Sequence, residues 1–370
     1  TTGARPGRLS LEDLAGYRAV QREPVCGGYR VYRVCGMGPP SSGGIAIVEA
    51  LGALDRFNLK AYPANSIGAI HLISEASRLA FADRNRYVAD SDFVEVPVRG
   101  LTDARYLRQR ARLISTEQTM GRAEPGRPEG VTLDFKNRQK DTTRELPGTT
   151  HISIVDAAGN AVALTSSIEN AFGSRVFVRG FLLNNELTDF AFSPRQGERS
   201  AANRVEPGKR PRSSMSPTIV TDRQNQLVLT VGSPGGPRII PYVLQTLVAT
   251  LDWGLDIQAA ISLPHFVNMN GPIELERGTP LTALAADLKT LGHTVETKSL
   301  TSGLQGIAVV RRGDAVQKAP GQREYGVLQQ IALVEIHQDD CRQVHRSDQR
   351  DAQIAEPSRN FLCGPTIGQE

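Results

Sequence analysis

Apolar and polar residues alternate in three stretches of the chain, and each stretch turns back on itself. The first is THISIV, followed by DAAGN and AVALTSS, over residues 150–167. The same pattern returns in PTIVTDRQNQLVLTVGS at 217–233 and in GIAVVRRGDAV at 306–316, where Gly313 lies at the turn. Alternation with a period of two around a short Gly or Asn turn predicts three β-hairpins.

Helical spacing of apolar residues dominates much of the remaining chain. The capping box SLED at 10–13 predicts a helix that continues to Val20. A second helix is predicted to begin near Ile45, after the turn-rich loop GMGPPSSGG. Further helices are predicted over 66–84, 103–114, 238–251, 255–262 and 280–291, the last with Gly292 as its C-cap. The strongly basic helix at 103–114 is expected to present a solvated face.

The order of these elements predicts the fold class. Helices come first, and hairpins interleaved with helices follow, which favours an α+β fold with an antiparallel sheet system covered by helices. Shorter strands are expected at 29–35 and 181–185, and a basic loop at 193–212. Residues 121–148 are rich in Gly, Pro, Glu and Arg and are expected to be a mobile connector. From 337 onward the chain is polar and patternless, which predicts a disordered tail.

Composition excludes several classes of protein. The chain has 370 residues, of which 39% are hydrophobic and 22% charged, with a formal net charge of +4. Such values are typical of globular proteins and give no indication of nucleic-acid binding. No apolar run approaches the ~18 residues of a membrane span. The first residue is Thr1 and no signal peptide is visible, so we expect the start to be incomplete or processed.

Cysteine and histidine spacing gives no sign of a metal site. The four cysteines form no C-x-x-C pair, and the six histidines show no H-E-x-x-H spacing. We therefore expect neither a structural zinc nor a disulfide framework. Cys26 and Cys35 are interpreted as ordinary strand residues, and the redox compartment stays open.

The junction between Gly148 and Thr149, in ELPGTTHISIV, allows two interpretations. It is either an ordinary loop-to-strand junction or a peptide bond that is cut to free Thr149 as a new N-terminus. A threonine hydroxyl is a weak nucleophile without a base. The freed α-amine, titrating near ~7.7–8, would place that base on the nucleophile's own residue. The junction alone favours the ordinary interpretation.

Two segments place polar side chains beside predicted strands. In KRPRSSMSPTIV, Ser213 and Ser214 are either turn hydroxyls or donors to a substrate carboxylate or carbonyl. In LLNNELTDF, Glu186 and Asp189 are either solvated loop acids or an anionic clamp for a substrate ammonium.

A third segment, GSPGGPRII, lies between a predicted strand and a predicted helix. Gly235 and Gly236 either form a tight turn or present backbone N–H groups as an oxyanion hole near a helix N-terminus. No G-x-S-x-G elbow is present, and GSPGG lacks the lysine and spacing of a phosphate loop.

Together these segments resemble the γ-glutamyltransferase family (γ-glutamyltranspeptidases, glutathione hydrolases) of the N-terminal nucleophile hydrolase superfamily. The matching motifs are TTHISIVDAAGNAVALTSS, FGSRV, FLLNNELTDF, GKRPRSSMSPTIV and GSPGGPRII, in family order. Upstream, LEDLAGYRAVQREPVCGGYR, PPSSGG and AFADRNRYVAD resemble the C-terminal part of that family's large subunit. The resemblance runs from about Leu9 to Val327.

The resemblance implies a four-layer αββα sandwich, incomplete at its N-terminus, and a precursor that cleaves itself between Gly148 and Thr149. Residues 1–148 would be the C-terminal part of the large subunit and 149–336 the small catalytic subunit. Residues 337–370 would be an atypical tail. The family's large subunit extends further upstream and supplies an arginine for the substrate's α-carboxylate, in a region that this chain does not include.

The resemblance also implies roles for single residues in catalysis. Thr149 would attack the γ-glutamyl carbonyl, and Gly235 and Gly236 would hold the oxyanion. Ser167 stands where the family often has a second threonine that hydrogen-bonds the nucleophile.

The implied substrate site has an acidic part and a hydroxyl part. Asp189 would bind the substrate's α-ammonium, and Ser213 with Ser214 would hold its α-carboxylate. Glu169 and Glu186 stand where the best-known bacterial members have Asn and Gln. Glu at the second position also occurs in family members, and Glu169 makes the ammonium pocket more acidic than in those bacterial members.

The implied activity is hydrolysis or transfer of the γ-glutamyl group of glutathione-like donors to water, an amino acid or a peptide. No cofactor, metal or nucleic acid is implied, and the two halves of the cleaved chain would associate. A bacterial member of the family would be periplasmic or secreted. Two alternatives stay open: a related amidase, such as a glutaryl or cephalosporin acylase, and an inactive, truncated member of the family.

Overall fold

The computed structural model describes residues 9–131, 138–141, 148–300, 302–312 and 315–323. The α-helices are α1 (Leu11–Gly16), α2 (Gly43–Leu54), α3 (Ile67–Tyr87), α4 (Val98–Leu101), α5 (Ala104–Ala111), α6 (Ile239–Leu251), α7 (Ile257–Ser262) and α8 (Ala285–Thr290). None of these helices combines the length and apolar character needed to cross a membrane.

An antiparallel sheet of six strands forms the centre of the molecule, in the order β1-β2-β10-β11-β15-β16. Its strands are β1 (Val25–Tyr29), β2 (Tyr32–Gly36), β10 (Thr218–Thr221), β11 (Leu227–Gly232), β15 (Gln305–Arg312) and β16 (Ala315–Gln322). Because β2 pairs with β10, the sheet joins the segments before and after the Gly148–Thr149 bond.

A two-stranded hairpin, β4 (Thr150–Val155) and β5 (Ala161–Ser166), packs on β11 and β15 of this sheet. Its inner face carries the buried side chains of His151 and Ser153. Its outer face carries Ile154, Val162 and Leu164, which are 45–50% exposed. The predicted hairpin is confirmed, but the face that packs on the sheet is the polar one, and the apolar side chains lie on the more exposed face.

Helices cover the opposite face of the six-stranded sheet. On β11, Leu229 and Val231 belong to the main apolar core, which also holds buried residues of α2, α3 and α6. Gly232, one position further along β11, instead lies against the ring of His151 on the hairpin. Successive strand residues point to opposite faces, so the layers are helix, sheet and hairpin. This α+β stacking confirms the expected fold class, and the described residues provide three of the four expected layers.

Smaller sheets complete the fold. β12 (Phe266–Asn268), β13 (Ile273–Glu276) and β14 (Val295–Lys298) form one, with β13 and β14 parallel. The others are built from β3 (Arg138–Gln139), β8 (Arg195–Gln196) and β9 (Arg199–Ala201), and from β6 (Phe177–Val178) with β7 (Phe181–Leu182).

Several sequence expectations need correction. The strand expected at 29–35 is a hairpin whose turn contains Arg30 at φ 57°. Cys26 and Cys35 face each other across it and form a disulfide, so the expectation of none was wrong. The pairing register of β1 and β2 places the two cysteines opposite each other, and their spacing in the sequence alone could not show this.

The connector expected at 121–148 is anchored where it is described. β3 pairs in parallel with β9, and Asp141 is buried, with its backbone N–H donating to the Asn85 carbonyl at 3.1 Å. Helix α5 was expected to present a solvated basic face. Its Arg110 is instead buried, with Nε 3.3 Å from Asp83 Oδ2. The polar tail expected from 337 lies outside the described residues.

Candidate active site

The Gly148 carbonyl oxygen lies at the centre of a cluster of hydroxyl groups. Gly148 and Thr149 immediately precede β4, and Ser167 immediately follows β5, so the pairing of the two strands brings these residues together. Ser167 Oγ donates to the Gly148 carbonyl oxygen at 2.5 Å, and Thr149 Oγ1 donates to the same oxygen at 2.7 Å. The two hydroxyl oxygens are 3.4 Å apart.

A pocket opens beside this cluster. Its walls are formed by Gly148, Thr149, Ser167, Glu169, Glu186, Asp189, Ser213, Ser214, Met215, Gly236 and Ile239. Every candidate residue from the sequence lines it except Gly235, which directly precedes Gly236. Segments that are distant in sequence therefore converge on the Gly148–Thr149 bond.

The acidic wall is built around Glu169. This residue is only 3% exposed and has a left-handed backbone with φ 69°. One of its carboxylate oxygens, Oε2, accepts a hydrogen bond from Asn185 Nδ2. The other, Oε1, has no hydrogen-bond partner among the described residues. Since a buried carboxylate oxygen without a partner is costly, the pocket is prepared for a cationic or hydrogen-donating ligand.

Asp189 and Glu186 lie on one short 3₁₀ turn, Glu186–Asp189. Asn203, which is fully buried, holds the end of this turn by donating from Nδ2 to the Asp189 carbonyl oxygen at 2.7 Å. Its Oδ1 accepts from the backbone N–H of Arg212 at 2.9 Å, close to the serine pair. Asn203 thus joins the acidic and hydroxyl sides of the pocket, and no sequence motif had identified it.

The glycine turn follows β11 and leads into α6. Gly235 has φ 137° and Gly236 has φ 59°, so both occupy conformations that favour glycine. A side chain at Gly235 would also meet the ring of Tyr242 at 2.9 Å. The turn thus brings its backbone close to the pocket, next to the N-terminal end of α6.

His151 lies two residues after Thr149, on the inner face of the hairpin, and sequence reasoning did not single it out. Its Nδ1 is 2.8 Å from Thr165 Oγ1, and its Nε2 is 3.1 Å from Ser153 Oγ. Burial lowers the pKa of His151 to about 4. A neutral ring held between two hydroxyls supports the strand rather than supplying a charge.

Among the described residues, His71, Glu75 and His293 form a buried group with the composition of a metal site. Arg78 donates to Glu75 Oε1 at 2.8 Å and lies 3.3 Å from His293 Nδ1. The two rings hydrogen-bond each other at 2.7 Å, and burial lowers the pKa of His293 to about 3. The Arg78 guanidinium already supplies a positive charge at the place that a metal ion would occupy. We therefore interpret the group as a set of hydrogen bonds that holds α3 against the turn at His293.

The helix, sheet and hairpin layers, with Thr149 immediately before the hairpin, are those expected of one class of protein, the N-terminal nucleophile hydrolases. Comparison with known proteins narrows the class. The family model for gamma-glutamyltranspeptidase matches residues 1–330. The chain belongs to this family.

Two kinds of enzyme are among the relatives to which the chain is similar. The glutathione hydrolase proenzyme of Escherichia coli (strain K12) is 39% identical over 320 residues, which cover 83% of this chain and 52% of the relative. The acylase ACY 1 proenzyme of Pseudomonas sp. (strain SE83) is 34% identical and covers 82% of this chain and 51% of the relative. The chain therefore spans about half the length of the curated relatives it matches.

A solved structure is similar in fold. The cephalosporin acylase from Bacillus halodurans aligns with a TM-score of 0.71 at 28% sequence identity. The alignment covers 85% of this chain and 54% of the acylase chain.

Proposed function

We propose that the chain is the catalytic part of a γ-glutamyl hydrolase or transferase that first cleaves its own Gly148–Thr149 bond. The observation that carries this proposal is the pair of hydroxyls, Thr149 Oγ1 and Ser167 Oγ, on the carbonyl oxygen of that bond. The family membership and the similarity to the Escherichia coli glutathione hydrolase proenzyme support it.

Self-cleavage would begin with attack of Thr149 Oγ1 on the Gly148 carbonyl carbon. The hydrogen bond from Ser167 supports the negative charge that develops on the carbonyl oxygen. The C–N bond then breaks, the Thr149 nitrogen takes the proton, and Gly148 is left as an ester on Thr149. The α-amine is now free, and water hydrolyses the ester, which releases Gly148 with a C-terminal carboxylate and restores the Thr149 hydroxyl.

Turnover would use the same atoms. The α-amine accepts the proton of the Thr149 hydroxyl as its oxygen attacks the γ-carbonyl of the substrate, and Gly235 and Gly236 donate to the oxyanion. The leaving amine departs with a proton and an acyl ester forms on Thr149. Water releases glutamate, or an amino acid or peptide amine takes the γ-glutamyl group.

Substrate recognition divides between the two sides of the pocket. Asp189, Glu169 and Glu186 bind the α-ammonium, and Ser213 and Ser214 bind the α-carboxylate. Glutathione and related γ-glutamyl compounds carry both groups.

A glutaryl or cephalosporin acylase is the second candidate, because an acylase is among both the curated relatives and the solved structures. A glutaryl group lacks the α-ammonium, so the acidic wall separates the two candidates. We expect Asp189→Ala to lower kcat/KM for a γ-glutamyl anilide by about 10²-fold, as expected for a lost charged contact, and for a glutaryl anilide by much less. Equal losses on both substrates would favour the acylase.

The disulfide between Cys26 and Cys35 bears on location. Disulfides persist in oxidising compartments and are rare in the cytosol of mesophiles. We propose a periplasmic or secreted location, and thiol labelling of the protein from its source without reductant tests it. Unlabelled Cys26 and Cys35 are expected.

A further inference from the structure

Arg84 lies directly behind the serine pair, although it belongs to the segment before the cleavage junction. It is near the end of α3 and only 3% exposed. Its Nε donates to Ser42 Oγ at 2.8 Å, and one terminal nitrogen donates to Ser214 Oγ at 2.5 Å. One guanidinium therefore connects the loop before α2 to a hydroxyl that lines the pocket.

Ser42 completes the connection. It accepts from Arg84 and donates from Oγ to the Ser213 carbonyl oxygen at 2.7 Å, and its backbone N–H donates to the same oxygen at 2.8 Å. Ser41 Oγ donates to the Met215 carbonyl oxygen at 2.5 Å. The PPSSGG motif thus holds the backbone of the turn at 213–215 from one side.

The side chain of Ser42 makes these hydrogen bonds instead of capping helix α2. It is the N-cap residue of α2, where a serine side chain usually accepts a hydrogen bond from the first turn. Here its side chain makes no capping hydrogen bond. A missing cap at a fully buried helix start is a local cost, and such departures concentrate at functional sites.

We propose that Arg84, through Ser42 and Ser214, positions and polarises the carboxylate-binding side of the pocket. This inference rests on the proposed function. A guanidinium N–H that donates to Ser214 Oγ turns the hydroxyl hydrogen away from Arg84, and chains of hydrogen bonds strengthen one another. Arg84 is a positioning residue, since it acts on the ligand through Ser214.

The test measures binding of L-glutamate and of 4-aminobutanoate, which is glutamate without its α-carboxylate, to the full chain by ligand-observed NMR. We expect Arg84→Gln to weaken glutamate binding about tenfold or more, the usual effect of a lost charge-assisted contact, and to leave 4-aminobutanoate binding unchanged. Arg84→Lys keeps the positive charge but loses the planar guanidinium that reaches both serines, so it should weaken glutamate binding by an intermediate factor.

The matched control is Arg86→Gln, which removes the same charge from the same helix and should bind both ligands as the wild type does. Ser42→Ala is a smaller change that keeps the test usable if Arg84→Gln unfolds, and it should weaken glutamate binding selectively. With a γ-glutamyl anilide, Arg84→Gln should raise KM and leave kcat within about threefold.

Two results would overturn the inference separately from the proposed function. Unchanged glutamate binding in Arg84→Gln, or an equal loss for both ligands, would contradict the role of Arg84 while the proposed function stands. A wild type that binds no glutamate would contradict both.

Discussion

At the scale of single residues, the Gly148 carbonyl oxygen determines what this site can do. Two hydroxyl groups donate to it, one from the residue after it and one from the end of the neighbouring strand. A carbonyl that accepts two hydrogen bonds is polarised towards attack at its carbon. Glu169 lines the same pocket, and one oxygen of its buried carboxylate has no hydrogen-bond partner among the described residues.

Ser167 offers a direct test of this polarisation. Ser167→Ala should slow self-cleavage by about 10²-fold or more, since removal of one oxyanion donor typically costs ~10²–10³ in rate. Ser167→Thr keeps the hydroxyl and should cleave at a rate close to the wild type. The measurement is the fraction of cleaved chain over time on denaturing gels. Equal rates in the alanine and threonine variants would rule out the donor role.

His151 predicts how stability depends on pH. Burial lowers its folded pKa to about 4 from the ordinary 6.5, so the unfolded chain takes up a proton first as the pH falls. The contribution of His151 is thus complete above the unfolded pKa, near 6.5, and is lost progressively as the pH falls towards 4. His151→Gln should reduce the slope of unfolding free energy against pH in this window by up to ~1.4 kcal/mol per unit. Urea unfolding at several pH values measures the slope, and an unchanged slope would contradict the assignment.

At the scale of elements, β11 determines the geometry of the site. One face of β11 joins the helical core through Leu229 and Val231, and Gly232 at its end contacts the His151 ring. The strand then runs directly into the glycine turn at 235–236. The nucleophile's hairpin and the turn are therefore positioned by a single strand that the core holds on its other face.

Gly232→Ala tests this contact, because an added Cβ would lie 2.3 Å from the His151 ring. We expect a loss of about 1–3 kcal/mol in unfolding free energy and slower self-cleavage, since overpacking must displace the ring or the hairpin. The control is Gly28→Ala, in strand β1, where an added Cβ meets nothing within 4 Å. Equal effects of the two substitutions on unfolding and cleavage would contradict the coupling.

The sequence predicted the elements better than their ends and contacts. Alternation predicted the hairpins of β4 with β5, β10 with β11, and β15 with β16, because a period of two with a turn between two strands is a local pattern in the sequence. The helix expected to reach Val20 ends at Gly16. No residue of α1 is buried, so packing against the core does not stabilise a longer helix. The single helix expected at 280–291 is a 3₁₀ turn, Pro280–Leu284, followed by α8. Strands β12 to β14 were missed.

The candidate site shows the same division. Motifs indicated the residues that line the pocket, and the structure brings them together, although their individual roles stay predictions. Arg84 and Ser42 lie in the matching motifs AFADRNRYVAD and PPSSGG but were given no role, and Asn203 lay in no motif, because the partners of all three are distant in sequence. The disulfide was missed for a different reason, because the spacing of Cys26 and Cys35 does not reveal the register that places them opposite each other.

At the scale of the whole molecule, the segments before and after the junction share one core. β2 pairs with β10 across the junction, and Arg30 forms an ion pair with Asp252 at 2.9 Å. Trp253 Nε1 donates to the Leu59 carbonyl oxygen at 3.0 Å, and the His71–His293 contact adds a further link. Cutting the Gly148–Thr149 bond would leave these contacts intact, so both pieces should remain in one particle.

The intact mass of the purified chain under denaturing conditions tests the central claim most directly. Self-cleavage predicts two species of 148 and 222 residues (370 − 148 = 222), which elute together when the same sample is kept native. Thr149→Ala, which removes the attacking hydroxyl, should give one uncut species and no turnover. A wild type that stays uncut, or a Thr149→Ala variant that still cleaves at Gly148, would contradict the account.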